Sequence, residues 1–380
     1  MKDQTLPDPT QVEGAPHPRE TPRLIGQAPA EAAFLDAFNT GRLHHAWMLV
    51  GPKGVGKATL AWRIARFLLA TPDPDPAGDA GLFGPAPLPE TLDIGSDHPV
   101  MRRSRAGSEP GLFALTRGPN DKGDRLAAEI RVDQVRKLKS FFALSATDGG
   151  RRVVIVDAAD EMNVNAANAL LKLLEEPPAR TVLLLVVHQP ARLLPTIRSR
   201  CRELRLTPLG PEDMAQALDQ AGAALSPQEA AALSELSSGS VGAAMRIVGL
   251  DGLALYRALL EVMGTMPDLD MPRTLKLADS LAQRGQEERR DLFFTLADLA
   301  FARLARTGVT GAAPARPAAP EEAALFARLA PGPAAGRAWA DIAQVTSDRA
   351  RHGRAVNVDP ASLVLDTVMK MRETASALRR

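Results

Sequence analysis

The chain has 380 residues, of which 45% are hydrophobic, and its 46 basic and 45 acidic side chains nearly cancel. This length exceeds what one hydrophobic core supports, so we expect two or three domains, and the balanced charge excludes attraction to nucleic acid through net charge alone. The single cysteine, Cys201, excludes an internal disulfide and a multi-cysteine zinc site, and it fits a reducing cytoplasm.

The first 22 residues are polar and rich in proline. They lack the apolar stretch of a signal peptide, and no apolar run along the chain is long enough to cross a bilayer. We therefore expect a disordered tail over residues 1–22, followed by a soluble, cytoplasmic protein with no membrane partner.

A strand, a glycine-rich loop and a helix are predicted next. The strand is the apolar run WMLV at 47–50, and after the loop Leu60, Ile64 and Leu68 recur at helical spacing. A strand that runs through such a loop into an amphipathic helix is the setting in which phosphate-binding loops occur.

The loop matches the pattern G-x-x-x-x-G-K-[ST] at its first three fixed positions. These are Gly51, Gly56 and Lys57, and we place Gly54 and Thr59 in the same nucleotide-binding set. Glycines let backbone N–H groups surround a phosphate at the start of a helix, and the lysine reaches the outer phosphates. The pattern predicts a phosphate-loop fold.

The fourth fixed position holds Ala58 in place of a hydroxyl residue. A hydroxyl there ordinarily ligates magnesium, and the side chain of Thr59 is turned by about 100° along the helix from the required direction. The loop therefore either holds ATP or ADP without turnover or is an inherited scaffold that binds nucleotide weakly or not at all. The sequence leaves both alternatives open.

A second position needed for ATP hydrolysis is also altered. Asp157 ends the apolar run RRVVIVD and could support a metal or cap a turn, but Ala158 follows it where active ATPases of this class hold a glutamate. Without that base, hydrolysis is expected to be slow at best. Asp160 and Glu161 lie beyond the strand end, and we expect them in a solvated turn.

Strands and helices alternate up to about residue 207, which predicts a parallel sheet covered by helices on both faces. Within this region residues 71–125 are rich in Pro, Gly and Asp and are expected to form a long, partly ordered insertion. From Pro211 onward only helical patterns occur, and residues 308–320 are expected to be a flexible link between helices.

Several longer motifs between residues 40 and 207 resemble one family. They are HHAWMLVGPKGVGKATLA, GGRRVVIVDAADEM, AANALLKLLEEPP and LLPTIRSRC. These stretches resemble the AAA+ clamp-loader subunits of bacterial DNA polymerase III, and the Arg- and Ala-rich sequence with one cysteine is similar to the alphaproteobacterial members. The altered ATP positions are similar to those of a member that hydrolyses little or no ATP.

The resemblance implies an AAA+ phosphate-loop module at 23–208, a small helical lid at 209–250 and an all-α collar at 251–380. It implies tau or gamma motor subunits and the delta subunit as partners, with the sliding clamp and primed DNA reached through the complex. The chain would then belong to a DNA polymerase holoenzyme without being the polymerase. Many relatives carry a four-cysteine zinc module that this chain lacks, so we expect no zinc and no other metal site.

Ser199, Arg200 and Cys201 match the family's SRC motif. In that family the arginine reaches across a subunit interface to the γ-phosphate of ATP held by the adjacent motor subunit. A guanidinium is always charged and forks onto phosphate oxygens, which suits it to this role. The alternative for Arg200 is an ordinary surface salt bridge. For the whole chain the alternatives are an active tau- or gamma-like ATPase, a separate phosphate-loop enzyme such as a small-molecule kinase, and a pure scaffold.

Overall fold

The computed structural model describes residues 6, 8–72, 87–143 and 150–379. The chain forms two compact units, one of Met1–Ala217 with Ser240–Gly242 and one of Leu218–Gly239 with Ala243–Arg380. The finer division into a lid and a collar stays a prediction.

The first unit is built on a five-stranded sheet in which every neighbouring pair is parallel. The strand order is β2-β3-β4-β1-β5. The strands are β1 Ala46–Val50, β2 Leu112–Leu115, β3 Arg152–Asp157, β4 Thr181–Val187 and β5 Arg202–Arg205. Because all strands run the same way, their carboxyl ends share one edge of the sheet and their amino ends share the other.

Helices cover both faces of this sheet. The helices of the first unit are α1 Ala28–Asn39, α2 Lys57–Ala70, α3 Pro99–Arg105, α4 Val132–Ala143, α5 Val164–Glu175, α6 Pro195–Arg198 and α7 Pro211–Gln220, and the last residues of α7 belong to the second unit. On one face Met48, Leu183 and Val154 form a buried cluster with Leu138 of α4 and Leu170 of α5.

The side chains on the opposite face of the sheet are also buried. Trp47 of β1 is fully buried, and its ring lies 5.1 Å from that of Phe34 in α1. All seven residues of β4 are buried, which explains why this strand is a continuous apolar run rather than an alternating one. The predicted α/β class with a parallel sheet and a helical C-terminal region is confirmed.

The region predicted as an insertion contains regular structure. Of residues 71–125, the part at 73–86 lies outside the described residues, while α3 and β2 form within 87–125. Strand β2 pairs with β3 at the edge of the sheet. The sequence did not reveal it because LFAL at 112–115 is only four residues long and is not fully buried.

The N-terminal segment also differs from its prediction. Residues 1–5 and 7 lie outside the described residues, but residues 8–22 pack against α2 instead of forming a disordered tail. His17 is only 5% exposed, and its ring meets Trp62 edge-on at 5.9 Å. A buried aromatic contact supplies the stabilisation that proline and charge were expected to prevent.

The second unit is helical in its described residues. Its helices are α8 Pro227–Leu236, α9 Val241–Gly249, α10 Gly252–Gly264, α11 Met271–Ala282, α12 Glu287–Thr310, α13 Glu322–Leu329, α14 Pro333–Ala355 and α15 Pro360–Leu378. The first two residues of α9 are counted with the first unit. None of the described helices is both long enough and apolar enough to cross a membrane.

The predicted flexible link at 308–320 is more ordered than expected. Helix α12 continues to Thr310. Arg316 follows the helix, and its carbonyl accepts a hydrogen bond from Nη2 of Arg303 in α12 at 2.9 Å. Ala319 is buried at 4% exposure. The partly buried guanidinium of Arg303 therefore holds a segment whose composition alone indicated flexibility.

Candidate functional site

The phosphate loop connects the carboxyl end of β1 to the start of α2. Its glycines Gly51, Gly54 and Gly56 have φ of 151°, 80° and 100°, in the region that favours glycine. A Cβ atom on Gly51 would lie 2.5 Å from the carbonyl oxygen of Leu206, and one on Gly54 would lie 2.4 Å from Ser240 Oγ. Both the backbone conformation and the close neighbours require glycine here.

Lys57 is buried at 2% exposure and is turned back onto its own loop. Its Nζ donates to the carbonyl of Gly51 at 2.7 Å and to that of Pro52 at 2.5 Å. Burial lowers the pKa of Lys57 to about 8, against the attraction of Asp157 and Asp160. The ammonium thus takes loop carbonyls as partners at the position where phosphate oxygens are expected.

The acidic groups near the loop are strongly affected by burial. Burial raises the pKa of Asp157 to about 7, with a further increase from Glu161 and a decrease from Lys57. Asp160 is 6% exposed, and its carboxylate accepts the backbone N–H groups of His188 and Gln189 at 2.9 and 3.0 Å. The expectation of a solvated turn is wrong for Asp160, because its oxygens cap the backbone after β4.

The predicted nucleotide set is therefore brought together only in part. Gly51, Gly54, Gly56 and Lys57 form one loop, and Asp157 acts electrostatically on the lysine. Thr59 is buried within α2 at 9% exposure. Asp160 was missed as a neighbour of the site, although an acid three residues after the end of β3 was a signal for it.

Arg200 lies between α6 and the amino end of β5. Its Nη2 pairs with Glu175 Oε1 at 3.0 Å, and its Nη1 donates to the carbonyl of Thr196 at 3.0 Å. The side chain is 37% exposed. The salt bridge that the sequence left as an alternative is thus present, and it holds the guanidinium at the surface.

The two neighbours of Arg200 in the predicted motif differ in burial, since Ser199 is exposed and Cys201 is partly buried. Ser199 Oγ donates to the carbonyl of Thr196 at 3.1 Å, at the end of α6. Cys201 packs against the core cluster beside β5, and burial raises the pKa of its thiol to about 12. Such a thiol stays protonated near neutral pH and is a poor nucleophile.

The phosphate loop lies at the carboxyl ends of the strands, and Arg200 lies at their amino ends. In the parallel pair of β1 with β5, Trp47 is opposite Arg202 and Val50 is opposite Arg205. Arg200 precedes this paired stretch, whereas Gly51 follows it. At about 3.3 Å per residue, the two backbone positions are separated by about 13 Å or more along the strands. Arg200 therefore lies at the end of the strands remote from the chain's own loop.

Comparison with known proteins gives one consistent match. A family model described as DNA polymerase III, delta subunit, matches residues 92–210, which include Ser199, Arg200 and Cys201. The delta-prime subunit of DNA polymerase III from Pseudomonas aeruginosa PAO1 is 43% identical over 219 residues, covering 58% of this chain and 59% of that protein. The chain resembles DNA polymerase III delta-prime subunits. The Escherichia coli K12 delta-prime subunit is 33% identical over 60% of this chain and 61% of that protein.

The chain thus spans about three fifths of the length of these delta-prime relatives. Relatives named as gamma, tau or gamma/tau subunits of DNA polymerase III also match, at 26 to 28% identity. Among solved structures, a gamma subunit-related protein from Thermotoga maritima covers 90% of this chain and 99% of its own, at 15% identity and a TM-score of 0.41. The delta-prime relatives are therefore the more similar group in sequence.

Proposed function

We propose that this chain acts as the delta-prime subunit of a DNA polymerase III clamp loader in the cytoplasm. It works with tau or gamma motor subunits and a delta subunit to load the sliding clamp on primed DNA during replication. Within that complex it presents Arg200 to ATP held by a neighbouring tau or gamma subunit. It hydrolyses little or no ATP at its own loop.

The observation that carries this proposal is the separation of Arg200 from the chain's own phosphate loop. The two occupy opposite edges of one parallel sheet, so Arg200 cannot reach a phosphate bound at Gly51–Lys57. An arginine at an exposed edge is available to a second chain. Its fork of N–H donors suits the oxygens of a γ-phosphate, where charge develops during transfer.

The ion pair that holds the Arg200 side chain is weak. Its partner Glu175 is 45% exposed, and ion pairs between exposed side chains contribute little in water. The guanidinium can therefore exchange this carboxylate for a phosphate when a neighbouring subunit approaches. Ser199 and Cys201 have a supporting role in this proposal, since their contacts fix the turn from which Arg200 projects.

The chain's own loop supports the second half of the proposal. Ala58 offers no magnesium ligand, Ala158 offers no base, and Lys57 is bonded to its own loop carbonyls. An active tau- or gamma-like motor is the rival function. It predicts steady ATP turnover by the isolated chain.

Reconstitution with the cognate motor and delta subunits tests the proposal. The measurement is DNA-stimulated ATPase and clamp loading for wild type, Arg200→Ala and Arg200→Lys. We expect Arg200→Ala to leave assembly intact and to reduce turnover at the one affected site by about 10³-fold. Arg200→Lys keeps the charge but loses the fork, so it should restore only part of the activity.

A matched control is Arg205→Ala, an exposed arginine at the carboxyl end of β5, the strand that follows Arg200. Its removal should change neither assembly nor turnover. If Arg200→Ala behaves like this control, the chain is a scaffold and the proposed role of Arg200 is wrong. ATP hydrolysis by the isolated wild-type chain would instead favour the motor.

A further inference from the structure

A segment in front of α1 lies along α2, the helix that begins with the lysine of the phosphate loop. We call residues 8–24 the N-terminal strap. Arg66 Nη1 donates to the carbonyl of Arg19 at 2.6 Å, and Arg63 Nη1 donates to that of Pro22 at 3.4 Å. With the buried edge-on contact of His17 and Trp62, these bonds attach the strap to α2 at three points.

The strap has its own internal structure, centred on His17. Asp8 accepts the backbone N–H and the hydroxyl of Thr10 at 2.9 and 2.6 Å, and it pairs with His17 Nε2 at 3.3 Å. Thr10 Oγ1 lies 3.0 Å from the same ring nitrogen, and Arg19 N donates to His17 Nδ1 at 2.9 Å. These contacts hold residues 8–19 together as one ordered segment.

The strap contacts the phosphate loop at Leu24 and a neighbour of the loop at Val12. At one end, Leu24 Cδ1 is 2.7 Å from the position that a Cβ on Gly56 would take. At the other end, Val12 Cγ2 is 3.5 Å from the equivalent position on Gly242, whose N–H donates to the carbonyl of Gly54 at 3.1 Å. The strap therefore lies against the loop and against the residues that contact it.

Four carbonyl oxygens of the loop and the ammonium of Lys57 have hydrogen-bond partners within the chain. Ser240 Oγ donates to the carbonyl of Lys53 at 2.8 Å, next to the bond between Gly242 and Gly54. Lys57 Nζ donates to two further loop carbonyls. The carboxylate of Asp8 is near enough to Asp157 to raise the pKa of that group. A triphosphate would have to draw the Lys57 ammonium away from these two carbonyls and approach two acidic side chains.

We propose that the N-terminal strap is an intramolecular plug that closes the phosphate loop against nucleotide. Hydrogen bonds hold the strap on α2, Leu24 packs on Gly56, and release of the strap opens the loop to ATP. This inference concerns the chain's own loop. It does not depend on what Arg200 does, so either proposal can fail without the other.

Nucleotide binding by the full chain tests the plug. The probe is a fluorescent methylanthraniloyl derivative of ATP, titrated with magnesium into wild type and into a variant whose residues 8–24 are replaced by a glycine-serine chain of equal length. A loop that is open in one molecule in ten binds about tenfold more weakly than an open one. We therefore expect the variant to bind the probe at least about tenfold more tightly than wild type.

Two further variants make the result specific. In the strap-replaced chain, Lys57→Ala should abolish the gained binding, which assigns it to the phosphate loop. A milder variant, Val12→Ser with His17→Ala, loosens the strap while keeping its length and should gain affinity in the same direction. Circular dichroism and thermal melting establish that each variant is folded, and the milder one serves if the replacement unfolds.

Two outcomes would overturn the plug. One is a folded strap variant that binds the probe no more tightly than wild type. The other comes from hydrogen exchange on the wild-type chain at saturating ATP. If ATP binds while the amides of residues 8–22 keep their full protection, nucleotide and strap occupy different places and the proposal is wrong.

Discussion

Arg200 and Glu175 form an ion pair, with 3.0 Å between Nη2 and Oε1. The pair joins the last turn of α5 to the segment before β5, and both side chains are partly exposed, at 37 and 45%. An exposed pair of this kind contributes about 0.2–1 kcal/mol. Glu175 thus competes weakly with any phosphate for the guanidinium.

We expect Glu175→Gln to strengthen ATP use at the site served by Arg200 in the reconstituted complex. Removing a competitor worth up to about 1 kcal/mol lowers the KM for ATP by up to about fivefold and leaves kcat unchanged. Glu176→Gln, at the exposed neighbouring position, is the control. A fall in kcat as large as that from Arg200→Ala would show that Glu175 positions the arginine instead.

The buried carboxyl of Asp157 should make stability depend on pH. Its pKa is about 7 in the folded chain, because burial disfavours the charged form, and a free aspartate titrates near about 4. Between these values the folded state binds more protons than the unfolded state, so this group's contribution to stability is lost as pH rises from about 4 to about 7.

Asp157→Asn removes that titration. We expect the free energy of unfolding of the variant, relative to that of wild type, to increase by on the order of 2 kcal/mol as the pH rises from 5 to 8. Urea unfolding at the two pH values measures the difference. An equal difference at both pH values would mean that Asp157 is ionised throughout the range.

A buried ionic cluster in the second unit should be sensitive to loss of its acid. Glu322 is fully buried and accepts from Arg303 Nε at 2.7 Å, from Tyr256 Oη at 2.6 Å and from the N–H of Ala318 at 2.5 Å. Glu322→Ala removes the acceptor of these three donor atoms, although Arg303 keeps Glu235 through Nη1 at 3.3 Å and the carbonyl of Arg316 through Nη2 at 2.9 Å. Removing one member of a buried pair costs about 3–5 kcal/mol.

Chemical denaturation, with helical signal as the readout, should show this loss. The control is Glu373→Ala, which breaks an exposed pair with Lys370 at 2.7 Å and should cost less than about 1 kcal/mol. Similar losses for both variants would indicate that the cluster around Glu322 is hydrated and flexible in solution.

Helices α12 and α14 pack with direct backbone contact at two glycines. A Cβ on Gly308 would lie 2.6 Å from the backbone nitrogen of Gly336, and one on Gly336 would lie 2.7 Å from the carbonyl oxygen of Ala305. Gly308→Ala therefore forces the helices apart, and we expect a loss of about 1–3 kcal/mol.

Gly264→Ala is the matched substitution for this test. Gly264 ends α10 with open space around its Cα, so alanine should be neutral or stabilising by up to about 1 kcal/mol. Thermal unfolding of both variants separates the two effects. A stable Gly308→Ala variant would show that the helices can move apart without loss of packing.

Local patterns predicted most of the first unit. The apolar runs of β3 and β4 and the spacing of Gly51, Gly56 and Lys57 each identify an element within a short window of sequence. The opposite placement of Arg200 also follows from the sequence, once the strands are known to be parallel. Strand β2 is too short to carry such a pattern.

What the sequence did not predict depends on contacts between distant residues. The strap is ordered because His17 packs on Trp62, 45 positions later in the chain, and composition carries no trace of that contact. The bonds of Lys57 to its own loop and of Arg200 to Glu175 depend on side-chain conformation. Residue type and spacing do not determine such conformations.

Arg200 and the phosphate loop form two different surfaces at opposite ends of the strands, and we call the surface with Arg200 the head and the surface with the loop the tail. Contact between the head of one such subunit and the tail of the next repeats in one direction, as in a ring or a helical array, and is not satisfied by a two-fold axis. With the strap in the proposed closed position, such a subunit presents Arg200 to a neighbour but has no open phosphate loop to receive a neighbour's arginine. Such a subunit therefore stands at one end of a series of subunits in head-to-tail contact.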